Sequence, residues 1–382
     1  MGLIVKITFP ILLNWKWERE HCGGQMNYWW DLSVINWLQG SFWTPWGFMK
    51  SPSLLDGAMW LITQFGTETV WILVVSVLFW LGYRRESLLL GALILVEAMI
   101  NFWLKYAIFR LRPTKYEAFV FYESSDPSMP SGHAQLATTA SFYTARATCP
   151  RLETSNLAKE NGGGRLRRKC LALYLLALAL TVLVSLSRVY LGVHWPTDVI
   201  AGSIVGFIIF TAYSIMAERL WNAIAPRLPT STLYNCVLII LIGVAFGVFI
   251  PSSWRIGWYA GGFFTGFFIG AVLEARFLNF EKPRTLREAL GRIILGGLVL
   301  SVLAVVSDKV LSGTYALFDL LELLLDLFVV PSLLSPWTGM IASLILEPYM
   351  GPFSNVIQFP LYTLVGLWVS LFAPYAFKAL RL

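Results

Sequence analysis

The chain has 382 residues, 57% of them hydrophobic and only 13% charged, with 17 Trp and a formal net charge of +7. That balance excludes an ordinary soluble globular domain and describes a polytopic membrane protein, in which basic residues mark the loops between apolar spans rather than a nucleic-acid surface. The four cysteines, Cys22, Cys149, Cys170 and Cys236, show neither paired nor metal-ligand spacing, so no disulfide framework and no zinc site is expected.

Residues 1–64 read as an aromatic-rich interfacial or anchoring segment. The first fifteen residues are too short to span a bilayer comfortably and lack a small-residue cleavage site, so no cleaved signal peptide is expected. Between 28 and 48, Tyr28, Trp29, Trp30, Trp37, Trp43 and Trp46 suit a helix or turn at headgroup level. His21 has no chemical context and is read as incidental.

Spans follow at Thr67–Tyr83 and Ser87–Leu104, joined by a turn carrying Arg84 and Arg85. The second span ends on Lys105, which opens the stretch Lys105-Tyr-Ala-Ile-Phe-Arg-Leu-Arg112-Pro113. Glu97 and Asn101 lie two turns and one turn before Lys105 on the same helical face, and an intramembrane carboxylate there is read as holding Lys105 or bridging two helices. Tyr116 and Tyr122, in the next loop, fit interfacial placement and could also line a site entrance.

Pro130-Ser131-Gly132-His133 comes immediately before a span at Ala134–Thr148. A polar connector, Cys149–Lys169, contains Gly162-Gly163-Gly164 followed by Arg165, Arg167, Arg168 and Lys169. Cys170–Leu186 then leads into Ser187-Arg188-Val-Tyr-Leu-Gly-Val-His194-Trp-Pro-Thr-Asp198. Pro196 suits the first turn of a helix, on which Asp198 can fold back toward the His194 imidazole and fix its tautomer. Gly202 and Gly206 continue that helix at four-residue steps and permit close packing.

The chemistry carried by these stretches is phosphoryl transfer. An imidazole held by a carboxylate presents its free nitrogen as a nucleophile. Arg188, Lys105 and Arg112 supply cations for a phosphate, and Ser131 with Gly132 places a hydroxyl and backbone N–H groups at a helix start, where anions bind. His133 adds a second imidazole, so that one histidine can attack while the other protonates the leaving oxygen. Five spans bring all three stretches to one membrane side.

Lysine, six residues, arginine-proline; proline-serine-glycine-histidine; and serine-arginine, five residues, histidine, three residues, aspartate: in this order the chain resembles the type 2 phosphatidate phosphatases, which share a site with the vanadium haloperoxidases. The resemblance covers residues 65–220 and implies an all-α helical core. It also implies a phosphohistidine on His194 oriented by Asp198, His133 as acid and then base, and phosphate bound by Lys105, Arg112, Ser131, Gly132 and Arg188. No metal and no cofactor is expected. Prenyl phosphates or diphosphates, phosphatidate and sphingoid phosphates are the substrates it suggests; a phosphotransferase using a lipid or sugar acceptor, or a lipid transporter with an accessory phosphatase site, are the rivals.

Arg84, Arg85, the 146–169 connector, Arg219, Arg227 and the 276–292 stretch gather basic residues opposite the motifs. The positive-inside rule then puts the site on the extracytoplasmic face. Residues 233–382 form an additional transmembrane region without an assigned activity. Its spans are expected at Leu233–Ile250, Arg255–Ala275, Ile293–Val306 and Asn355–Phe377, with Gly262, Gly266 and Gly270 as a packing face. Residues 315–348 are ambiguous, with Asp319, Glu322 and Asp326 on one acidic face of a helix. The partners expected are a lipid phosphate and the bilayer, and no nucleic acid; the oligomeric state is left open.

Overall fold

The computed structural model describes residues 29–40, 42–44, 47–51, 53–124, 126–154, 164–224, 231–249, 256–329 and 347–382. His21, Cys22 and the glycine run at 162–163 lie outside them, as do the side chains of Asp319, Glu322 and Asp326. The architecture is helical, as the composition requires. Among the described residues, seven helices are long and apolar enough to cross a membrane, and a bent pair makes up to eight.

The chain enters through α1 (Trp29–Gln39) and a short antiparallel hairpin that pairs Phe42 with Met49. Next come α2 (Leu54–Thr63), a 3-10 turn (Gln64–Gly66) and α3 (Glu68–Trp80), with a 57° bend between the two apolar arms. Gly66 sits at the bend because no side chain fits there: a Cβ would stand 2.7 Å from His133 Cβ and 2.8 Å from Val184 Cγ1. The turn thus closes directly over a motif histidine.

Four helices complete the N-terminal half: α4 (Arg84–Ile108), α5 (Gly132–Thr154), α6 (Gly164–Tyr190) and α7 (Pro196–Ile224). They alternate in direction, so the C-terminal ends of α4 and α6 meet the N-terminal ends of α5 and α7. Much of the 149–169 connector is therefore helical, since α5 runs on to Thr154 and α6 begins at Gly164. α5 is not among the strongly apolar spans. It lies between α4, α6 and α7 with Gln135, Thr138, Thr139 and Ser141 buried, and the threonine hydroxyls donate to carbonyls one turn back. A helix screened by others needs no apolar stripe toward lipid, which explains its composition. Gly202 and Gly206 let α7 approach it, with would-be Cβ atoms 2.5 Å from the carbonyl oxygen of Ser131, just before α5, and from that of Gln135 within it.

The C-terminal region contributes α8 (Thr232–Phe249), α9 (Ile256–Leu273) with a π turn at Glu274–Leu278, α10 (Leu286–Val329), α11 (Glu347–Leu367) with a π turn at Trp368–Phe372, and α12 (Ala373–Ala379). The expected span at Ile293–Val306 is part of the 44-residue α10, whose apolar portion is Leu286–Ser307. Gly262 and Gly266 face α11 across backbone contacts of 2.3 and 1.9 Å to a would-be Cβ, so this glycine face packs helices as expected. One hydrophobic core joins the two halves: Trp71, Val75, Phe79 and Trp80 of α3 pack with Phe263, Phe267, Val369 and Phe377. Trp80 also donates its indole N–H to Val369 O at 2.9 Å.

Candidate active site

Lys105 stands at the end of α4, where Phe109, in a left-handed conformation, closes the helix by donating its N–H to Lys105 O at 2.8 Å. The chain then doubles back, carrying Arg110 and Arg112 past the start of α7. Arg188 lies in the last turn of α6, His133 in the first turn of α5, and His194 in the short link between α6 and α7. A cavity of about 200 Å³ is lined by Lys105, Arg112, Gly132, His133, Arg188 and His194 together. Ser131 and Asp198 back it from behind, both fully buried. All eight residues singled out in the sequence therefore gather in one place.

His194 is 1% exposed and held from both sides of its ring. Its Nδ1 lies 3.5 Å from Asp198 Oδ2 and 3.3 Å from Ser128 Oγ, and the Ser128 hydroxyl donates to the same carboxylate. Asp198 is itself pinned by the Trp195 N–H at 2.9 Å and by Arg110 Nη1 at 2.8 Å. The other ring nitrogen, Nε2, is 3.2 Å from Arg112 Nη1 on the cavity side. Burial, then the charges of Arg112, Arg188 and Lys105, push the His194 pKa well below its usual value, so the ring is neutral at pH 7. A neutral imidazole anchored through Nδ1 leaves a lone pair on Nε2.

The cations have one shared counter-charge. Asp126, in the loop before α5, accepts from Lys105 Nζ and, at 2.7 Å, from Arg112 Nη2. Burial works to raise the Asp126 carboxyl, but the two cations outweigh it and hold the group well below the usual carboxylate range. Arg188 donates to Thr63 Oγ1 at 3.1 Å and to the Tyr122 hydroxyl. Beside the histidines three cations face one carboxylate, an excess of positive charge that suits an anionic group. The first turn of α5 adds N–H groups that no helix carbonyl can satisfy, those of Gly132 and His133 among them. The Ser131 N–H is spent on Asp198 O at 3.0 Å, and Ser131 Oγ, though buried, has no hydrogen-bond partner among the described residues.

One expectation changes. Lys105 donates to Asp126 and to Pro127 O at 2.7 Å rather than to Glu97. The α4–α5 bridge centres on Gln135, whose Oε1 accepts from Asn101 at 2.9 Å and whose Nε2 donates to Glu97 O at 3.4 Å. Tyr122 lines the cavity, whereas Tyr116 is 62% exposed.

Four contributors escaped the sequence reading. Ser128 sits between His194 and Asp198; its signal was a hydroxyl three residues before Ser131 in the same stretch. Asp126 was legible as an acid in the loop joining two basic motifs, where buried cations need a counter-charge. Arg110 and Asp31 form a second layer, Arg110 Nη2 donating to Asp31 Oδ2 at 2.8 Å, and Asp31 also accepts from the Thr197 N–H at 3.2 Å. Asp31 lies in α1, some 167 residues before Asp198, so no local spacing connects them. Together with Thr63, it brings the segment before residue 65 against the site.

Fold and site define a polytopic helical membrane protein with a cavity that gathers three cations and two histidines. Residues 86–222 match the PAP2 superfamily, and residues 258–345 match the PAP2 superfamily phosphatase, transmembrane extension. The chain is 33% identical over 161 residues to phosphatidylglycerophosphatase B of Bacillus subtilis, covering 41% of this chain and 72% of that protein. It is 31% identical over 159 residues to an undecaprenyl-diphosphatase of Sulfolobus acidocaldarius, covering 40% of this chain and 66% of that protein. The crystal structure of a transmembrane PAP2 type phosphatidylglycerolphosphate phosphatase from Bacillus subtilis aligns over 56% of this chain and 96% of its own, with 24% identity and a TM-score of 0.39. The chain belongs to the PAP2 superfamily.

Proposed function

We propose that the protein is a lipid phosphatase that removes phosphate from a lipid phosphomonoester or diphosphate through a phosphohistidine intermediate. The observation that carries this reading is the placement of His194 Nε2 among Lys105, Arg112 and Arg188, with Nδ1 backed by Ser128 and Asp198. In the first step Nε2 attacks phosphorus, a P–N bond forms and the P–O bond to the lipid breaks. The three cations and the α5 N–H groups hold the equatorial oxygens, while His133 delivers a proton to the departing oxygen. The positive charge left on the His194 ring is shared with Asp198 through Nδ1–H and the Ser128 hydroxyl. Water, deprotonated by His133, then attacks phosphorus and returns His194 to its neutral form.

Charge stabilisation here comes from side chains and backbone dipoles, so turnover is metal-independent. The site faces the extracytoplasmic side: Arg84, Arg167, Arg168, Lys169, Arg276, Arg284, Arg287 and Arg292 belong to the opposite ends of the helices that carry the motifs or to the loop beside them. The relatives named above act on undecaprenyl diphosphate and phosphatidylglycerophosphate, and the same site chemistry suits either head.

The test is phosphate release by the purified, detergent-solubilised protein from prenyl diphosphate, phosphatidate and sphingoid phosphate with EDTA present. Release that His194→Ala abolishes is the expected result. Release from none of them, or release requiring added divalent metal, overturns the reading.

A further inference from the structure

Two charged residues behind the cavity converge on the support of its histidine. Arg110, in the return after α4, donates from Nη1 to Asp198 Oδ1 and from Nη2 to Asp31 Oδ2, both at 2.8 Å. The same Nη1 donates to the Thr197 hydroxyl, and Asp31 accepts from that hydroxyl at 3.0 Å and from the Thr197 N–H at 3.2 Å. Asp31 and Asp198 are both fully buried. Neither Arg110 nor Asp31 lines the cavity, so neither is placed to bind a phosphate. The line of contact runs from α1 through Arg110 to Asp198, and from Asp198 Oδ2 to His194 Nδ1 at 3.5 Å.

This layer supplies what the first turn of α7 lacks by itself. The Thr197 N–H, at a helix start, has no helix carbonyl to bond, and the Asp31 carboxylate accepts it from a different helix. That fixes the turn on which Asp198 stands. The Arg110 fork then spans both carboxylates, a geometry that a planar guanidinium offers and an ammonium does not. A lone guanidinium beside Asp198 would compete with the ring for its charge, whereas one shared with Asp31 leaves Asp198 able to receive an imidazolium. Fastening α1 to the bundle does not require Asp31. Gln39 donates to Phe119 O at 2.7 Å and to Tyr190 O at 2.8 Å and accepts from the Phe119 N–H at 3.1 Å, while Ile35 packs with Ala134, Trp195 and Val199. A buried carboxylate is a costly staple where these contacts already serve.

We infer that Asp31 and Arg110 are positioning residues for the reaction at His194: Arg110 orients Asp198, and Asp31, reaching in from α1, orients Arg110 and shares its charge. This rests on the phosphatase reading above, in which the His194 ring becomes positively charged as Nε2 attacks phosphorus. α1 lies before residues 86–222, which match the PAP2 superfamily, and it is part of the catalytic unit rather than an anchor alone.

The experiment measures kcat and KM of the detergent-solubilised full chain on prenyl diphosphate, phosphatidate and sphingoid phosphate, with Tm followed beside them. Asp31→Asn keeps the side-chain shape and removes the charge; Arg110→Lys keeps the charge and removes the fork. Each is expected to lower kcat about tenfold or more with KM within about twofold, since the cations of the cavity are untouched. Because Asp31 acts through Asp198, adding Asp31→Asn to Asp198→Asn is expected to lower kcat less than about twofold further. The full loss carried into the Asp198→Asn chain overturns the proposal. So does unchanged kcat in the single variants, or a rise in KM alone. Where Asp198→Asn turns over too slowly to measure, the Arg110→Lys chain takes its place in the comparison, with the same two outcomes. If Asp31→Asn does not fold, Arg110→Lys decides by the division between kcat and KM. No phosphate released by the wild type from any substrate sinks the phosphatase reading and this one together. Release that His194→Ala abolishes and both single variants leave unchanged sinks this one alone.

Discussion

The two ends of the α3–α4 pair bury charge in opposite ways. At the end away from the cavity, Glu274 is 0% exposed, and both its oxygens are satisfied: Arg84 donates at 2.5 and 2.7 Å and the Phe280 N–H at 2.8 Å. At the cavity end, Lys105 and Arg112 share Asp126, and Ser131 Oγ and Glu97 Oε1 have no hydrogen-bond partner among the described residues. A complete polar network is a structural clamp; an incomplete one is preorganised for something that arrives. The same helices supply both, so the contrast reflects purpose rather than depth in the membrane.

The sharpest way to break the comparison is to remove the group that gives the open end its chemistry. His194→Ala should lower phosphate release by about a thousandfold or more while leaving the melting temperature within a few degrees, as followed by Tm and inorganic phosphate release side by side. The converse change belongs to the closed end. Glu274→Ala leaves Arg84 without its carboxylate and should cost about 3 kcal/mol of stability, with the kcat of the folded fraction retained; a drop in kcat at unchanged Tm would show that the far end is coupled to catalysis.

Ser128→Ala tests the link between the ring and its carboxylate. It should reduce kcat about tenfold with little change in KM, because Nδ1 loses its nearer partner while the phosphate contacts persist. Equal loss in kcat and binding would place Ser128 in packing instead.

The smallest effect is in pH dependence. Because folding depresses the His194 pKa, the unfolded chain takes up that proton at higher pH; stability is untouched above the unfolded value of 6.5 and falls as the pH drops below it. Asp126 is depressed too, and its contribution is full above the unfolded value of 3.8 and lost only as the pH falls toward the folded one. Between about pH 6.5 and pH 5 the wild type should therefore lose a few degrees of melting temperature more than His194→Ala does. Parallel curves would mean the ring is not held neutral.

Much of the open end was legible beforehand because its chemistry sits in short runs. Lysine, arginine, serine, glycine and histidine at fixed offsets carry the family resemblance, and alternating spans bring the helix ends they occupy to one side. The closed end was not legible: Arg84 and Glu274 are 190 residues apart, and each reads locally as an ordinary loop or interface charge. Glu97 shows the same limit inside a motif-bearing helix. Its position on the Lys105 face follows from helical period, but its partner depends on which loop returns, and Asp126 took that place.

Composition and periodicity therefore determined a multi-span helical protein, and the short motifs, through the resemblance they carry, pointed to the eight residues gathered at the cavity. Only the tertiary structure decided that Ser128 stands between His194 and Asp198, that Asp31 and Thr63 reach the site from the first helices, and that two glutamates face the same cavity as three cations. Local spacing governs which groups share a helix face, whereas the partner of a buried charge is selected by desolvation among whatever chains the packing brings near, over separations that no periodicity records.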